Sequence, residues 1–138
     1  MQYPSRNWLI VLLPFLALLA MPAQASKHDP MYVPEPIEVP SGKGFDEVRK
    51  VVRKALFDEG FSAHDIASGD IEAKRTKSGK NGAYSAVVKV RFDSSTIRIS
   101  YKSSDGLYYD ATDNTIHSTY NKWVRNIEKR VRRGLGAY

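Results

Sequence analysis

Tyr84-Ser85-Ala86-Val87-Val88-Lys89-Val90-Arg91-Phe92, then Asp93-Ser94-Ser95, then Thr96-Ile97-Arg98-Ile99-Ser100-Tyr101-Lys102, is the stretch that decides the fold. Tyr84, Ala86, Val88, Val90 and Phe92 alternate with Ser85, Val87, Lys89 and Arg91. Ile97, Ile99 and Tyr101 alternate with Thr96, Arg98, Ser100 and Lys102. Successive side chains of a strand point to opposite faces, so each segment has one apolar face and one mostly polar face. Joined by a short polar turn, they predict an antiparallel sheet covered on a single side.

Working outward, residues 71–76 and, more weakly, 61–66 predict further strands. The polar loop at 77–82 ends in Asn81-Gly82, a hairpin signal. Before the strands, Phe45, Val48, Val52, Ala55 and Leu56 recur at helical spacing and predict a helix over residues 45–59. Asp46 and Glu47 suit its N-terminal dipole, and Gly60 follows its end. After the strands, residues 103–114 read as a polar connection carrying Leu107, Tyr108 and Tyr109. The last helix is predicted over 115–133. Asp113, Asn114 or Thr115 would cap it and Gly134 would end it. Its stripe of Ile116, Tyr120, Trp123, Val124, Ile127 and Val131 falls within about 100° on a helical wheel.

Residues 26–40 hold Pro30, Pro34, Pro36 and Pro40. Proline lacks an amide donor, so this part reads as an extended arm with a short edge strand near Val33, Ile37 and Val39. The expected fold is α+β. It is a two-layer sandwich in which two helices cover one face of an antiparallel sheet of three or four strands, in the order β-α-β-β-β-α. The expected organisation is a leader at 1–25, the arm at 26–40 and one domain at 41–138.

The leader reading rests on three features. Arg6 is the only charge in residues 1–25, residues 8–20 are an apolar run broken only by Pro14, and Ala23-Gln24-Ala25 is a small-x-small cleavage site. The run is shorter than the roughly 20 residues that span a bilayer. The expectation is a signal peptide cut near Ala25-Ser26, a periplasmic or secreted product, and no transmembrane span after its removal. The chain of 138 residues has no cysteine. Disulfides, thiolate metal sites and cysteine nucleophiles are therefore excluded, and the fold must rest on its core alone.

The formal net charge is +6. Lys122, Arg125, Lys129, Arg130, Arg132 and Arg133 face one acid, Glu128, in residues 122–138, whereas residues 26–121 balance. Lys122, Arg125, Lys129, Arg132 and Arg133 share one arc of the last helix, opposite the Tyr120–Trp123 stripe. A ridge of this kind attracts phosphates, anionic head groups or an acidic protein. A solvated helix face carries similar residues. Export disfavours a nucleic-acid partner.

A possible recognition patch comprises Tyr108, Tyr109, His117 and Asn121, because tyrosine joins apolar area to a polar tip. Packing at the open end of the sheet competes for the tyrosines, and capping competes for His117. His28, His64 and His117 are far apart in sequence and no HExxH pair exists, so no metal is expected. No GxSxG or SxxK motif is present, and no cofactor is expected. Asp70 and Glu72, beside Lys74, read as surface acids. Gly79-Lys80-Asn81-Gly82 sits between strands, not before a helix, so it is no phosphate loop.

Ile97-x-Ile99-x-Tyr101-x-x-Ser104-x-x-Leu107-x-Tyr109, followed by Ile116-His117-x-x-Tyr120-Asn121-x-Trp123-Val124-x-Asn126-Ile127, resembles a group of small exported, lipoprotein-like, largely uncharacterised proteins of Gram-negative bacteria. The resemblance spans about residues 60–131. It implies a periplasmic α/β domain with no established catalytic residues. The chain lacks the cysteine that would carry a lipid, so an anchor is not implied. The expected function is a non-enzymatic envelope protein that binds a protein partner or an anionic envelope surface through its basic C-terminal helix. The alternative is an envelope hydrolase with an unfamiliar site.

Overall fold

The computed structural model describes residues 27–137. The leader, the cleavage site, Ser26 and Tyr138 lie outside the described residues. In chain order the elements are β1 (Asp29–Pro30), β2 (Ile37–Glu38), α1 (Phe45–Asp58), β3 (Ser62–Asp65), β4 (Ile71–Gly79), β5 (Gly82–Phe92), β6 (Thr96–Asp105), β7 (Thr115–Ile116) and α2 (Ser118–Leu135). The fold is α+β, with two helices and antiparallel sheets.

The main sheet has five strands in the order β2-β6-β5-β4-β3, rather than three or four. A second sheet of two strands, β1 and β7, pairs Asp29 with Ile116 and Pro30 with Thr115. The arm therefore joins strands of the body at two places, once by β1 and once where Ile37 pairs with Ile97.

Period-two alternation is realised along β4, β5 and β6. Ile71, Ala73, Ala86, Val88, Val90, Phe92, Ile97 and Ile99 are buried. Lys74, Arg91, Arg98 and Ser100 are exposed on the other side. Val87 pairs with Ser103 and Val88 with Tyr101, which leaves Lys102 as the extra residue of a bulge. The β6 strand continues to Asp105, into the stretch expected to be a connection.

Val48, Val52, Ala55 and Leu56 form the buried stripe of α1. Phe45 shares their spacing but is 45% exposed, stacked on Phe92 with ring centroids 5.0 Å apart. In α2, Tyr120, Trp123, Val124, Ile127 and Val131 are buried and Trp123 is only 4% exposed. Trp123 stacks on Tyr84 at 5.9 Å and meets Phe61 edge-on at 6.0 Å, while Tyr120 meets Tyr101 edge-on at 5.5 Å. Each fully buried Ile, Val or Leu contributes about 1.5–3 kcal/mol of transfer free energy.

The boundaries of α2 differ from expectation. Thr115 and Ile116 belong to β7, and His117 is the N-cap, its ring Nδ1 accepting from the Thr119 amide at 3.1 Å. Asp113, Asn114 and Thr115 therefore do not cap it. At the other end, Gly134 lies inside the helix, and Gly136, at φ +69°, is the C-cap. In the β4–β5 hairpin Gly79 pairs with Gly82, and the positive φ falls on Gly82 alone. The Asn81-Gly82 signal thus marks a hairpin without making a turn that has both central residues left-handed. Among the described residues, no helix is long and apolar enough to cross a membrane.

Candidate functional site

The outer face of α2 follows from its sequence period. Its apolar stripe is buried, so the residues between the stripe positions must face out. Lys122, Arg125, Lys129 and Arg133 are exposed. Among the described residues, no carboxylate lies within ion-pair distance of any of these four.

Arg132 differs. It donates through Nη2 to Glu128 Oε1 at 3.0 Å, one helical turn back. The other Glu128 oxygen accepts from the Tyr32 hydroxyl on the arm. This bond, burial and the carboxylate's charge raise the Tyr32 pKa against the opposing pull of Arg125 and Arg132. The Arg125 guanidinium lies 4.0 Å from the Tyr32 ring centroid. The ridge therefore has an inner pair, Arg125 and Arg132, ordered by the arm, and outer cations at Lys122, Lys129 and Arg133. A groove of about 300 Å³ is lined by Arg125, Glu128, Lys129, Arg132, Arg133 and Ala137.

Arg130, from the same basic segment, turns inward. Its Nε donates to Glu59 Oε2 at 3.2 Å. Glu59 Oε1 accepts from Arg75 Nη1 at 3.1 Å and Asn126 Nδ2 at 2.9 Å. Arg75 also sits 4.5 Å from the Trp123 ring centroid. Glu59, only 8% exposed, thus ties together the end of α1, β4 and α2. An acid beside a helix-ending glycine carries no sequence sign of this role.

The recognition patch divides. Tyr108 and His117 come together with ring centroids 6.3 Å apart, beside the β4–β5 hairpin. Tyr109 packs on Tyr101 at 4.4 Å. Asn121 is buried and committed to the arm: its Oδ1 accepts from the Tyr32 amide at 2.8 Å and its Nδ2 donates to the Pro30 carbonyl at 2.9 Å. It does not join the tyrosines.

Asp70, expected on the surface, is buried. Burial pushes its pKa up. A Ser68 hydrogen bond, the Arg91 charge and bonds from Lys89 and Arg91 outweigh that and leave it lowered. His64 Nε2 stands 3.8 Å from Glu72, which Lys102 also contacts. Among the described residues, no group of three or more His, Asp or Glu side chains is placed to hold a metal ion.

Compared with known families, with curated proteins and with solved structures, the chain gives no match.

Proposed function

We propose that this protein is an exported, non-enzymatic binding domain of the bacterial cell envelope, and that the outer ridge of α2 is its contact surface for phosphate-bearing head groups. The observation that carries the reading is the set of exposed cations at Lys122, Arg125, Lys129 and Arg133, without carboxylate partners among the described residues. They extend over about 16 Å of helix at 1.5 Å per residue. Near an anionic surface each is worth about 1 kcal/mol. The leader pattern and the resemblance to small exported proteins supply the compartment. The two-layer reading supplies the geometry. With both helices on the apolar face of the sheet, the ridge turns away from that face, with Tyr32 of the arm along one flank.

The test is binding to vesicles containing an anionic phospholipid, against zwitterionic vesicles. Replacing Lys122, Arg125, Lys129 and Arg133 by Glu should abolish binding, and Tm should fall by only a few degrees. Unchanged vesicle binding would overturn the proposal. Loss of an envelope protein from cross-linked cells, with vesicle binding absent throughout, would instead favour an acidic protein partner.

A further inference from the structure

A second surface, which shares no lining residue with the ridge groove, has the makings of a small-molecule site. A cleft of about 330 Å³ opens between the β4–β5 hairpin and the β6–β7 connection. Its walls include Lys27, Lys80, Tyr84, Leu107, Tyr108 and His117, and among the described residues no Asp or Glu lines it. The volume lies at the small end of the roughly 300–1,000 Å³ usual for ligand pockets.

Tyr108 is the informative residue. Its φ is +54°, a conformation that L residues other than Asn and Asp rarely adopt. The residue is 48% exposed, so burial does not offset that strain. Strain of this kind, about 1–3 kcal/mol, is concentrated at ligand clamps and active sites. What the left-handed backbone achieves is the ring's position. Lys27 Nζ lies 5.1 Å from its centroid, and the His28 and His117 rings stand 6.2 and 6.3 Å away. The neighbouring Gly106, at φ +71°, approaches Tyr84 so closely that a Cβ there would meet the Tyr84 Cβ at 3.0 Å.

His117 is fixed as well. Because its Nδ1 accepts from the Thr119 amide, the neutral ring must carry its proton on Nε2 and is a donor there. The cleft therefore combines two ammonium groups, an imidazole donor, an aromatic plane and the apolar side chain of Leu107, with no Asp or Glu among its described lining residues.

We propose that this cleft binds a small ligand with a planar ring and one phosphate or carboxylate group. The ring lies against Tyr108, and the anionic group is held by Lys27, Lys80 and His117. This site is independent of the ridge of α2, so either can fail alone.

Phenyl phosphate titrated into the ¹⁵N-labelled protein is the probe, with inorganic phosphate and benzoate as comparison arms. Saturable amide shifts are expected at Gly82, Gly106, Tyr108 and Thr119. Inorganic phosphate should bind about tenfold more weakly for want of the ring, while benzoate should stay near phenyl phosphate. The double variant Lys27→Glu/Lys80→Glu, at two exposed positions, should weaken phenyl phosphate about tenfold or more. Tyr108→Gly should lose the ligand while Tm holds or rises, because glycine accepts the backbone angle. No saturable shift at millimolar probe, shifts confined to residues 122–133, or full affinity in both variants would each overturn the proposal.

Discussion

Val51 on α1 meets Gly134 on α2 so closely that a Cβ on the glycine would stand 2.8 Å from Val51 Cγ1. Gly134 is thus an interhelical contact within α2, and its helical backbone needs no special angle. Glycine inside a helix costs about 0.5–1 kcal/mol relative to alanine. Overpacking costs about 1–3 kcal/mol. Because Val51 is β-branched and stiff at χ1, the clash should win. Gly134→Ala is expected to destabilise by about 1 kcal/mol. Val51→Ala in the same chain should recover much of that loss. A double-mutant cycle by urea unfolding measures the coupling.

Glu59 invites a second test. Its carboxylate answers Arg75, Arg130 and Asn126. Both arginines keep partial contact with water, which limits the penalty of leaving them unpaired. Glu59→Ala should therefore destabilise by about 2 kcal/mol, and Glu59→Gln by about half as much. Trp123 fluorescence, with Arg75 over its ring, should change in both variants.

Asp70 sets part of the acid sensitivity. Its folded pKa is lowered, so it binds its proton less readily folded than unfolded. The stability it contributes is present above the unfolded value of about 3.9 and is lost as pH falls through the folded value. Asp93, lowered by the amides of Thr96 and Ser95, adds to the same limb. Unfolding free energies measured at steps from pH 5 down to about 2 should decline in the parent chain. They should decline less steeply in Asp70→Asn.

Asn121 holds the arm through two hydrogen bonds to its backbone. Asn121→Ala leaves the Tyr32 amide without its acceptor and should cost about 1–3 kcal/mol. Hydrogen exchange at Tyr32 should accelerate, while the amides of β5 keep their protection. Equal acceleration in both places would mean that the arm is not a separate unit.

How much of this was legible in sequence depends on the kind of pattern involved. Strands β5 and β6 show themselves because each buries one face, so Ala86, Val88, Val90, Ile97 and Ile99 print a period of two. Strands β1 and β7 have two residues each and pair across most of the chain, and no local period can reveal that. Ile116 belongs to β7 yet falls in phase with the apolar stripe of α2, so the start of the helix was masked by its own neighbour. The cationic arc of α2 was readable from helical spacing. That Arg130 turns to Glu59 and Arg132 to Glu128 was not, because both outcomes depend on where other elements bring their acids. Asn121 reads from sequence only as part of a recognition patch, because the arm that it holds is remote in sequence.

The outermost strands of the main sheet are both short. Strand β2 is the dipeptide Ile37–Glu38, with Pro36 before it and Pro40 soon after, and β3 ends at Asp65 after four residues. A foreign strand finds little template on either, but β2 covers only Thr96 and Ile97 of β6, and β3 only Ile71 to Lys74 of β4. Strand addition to this body should therefore run along the uncovered lengths of β6 or β4 rather than along β2 or β3.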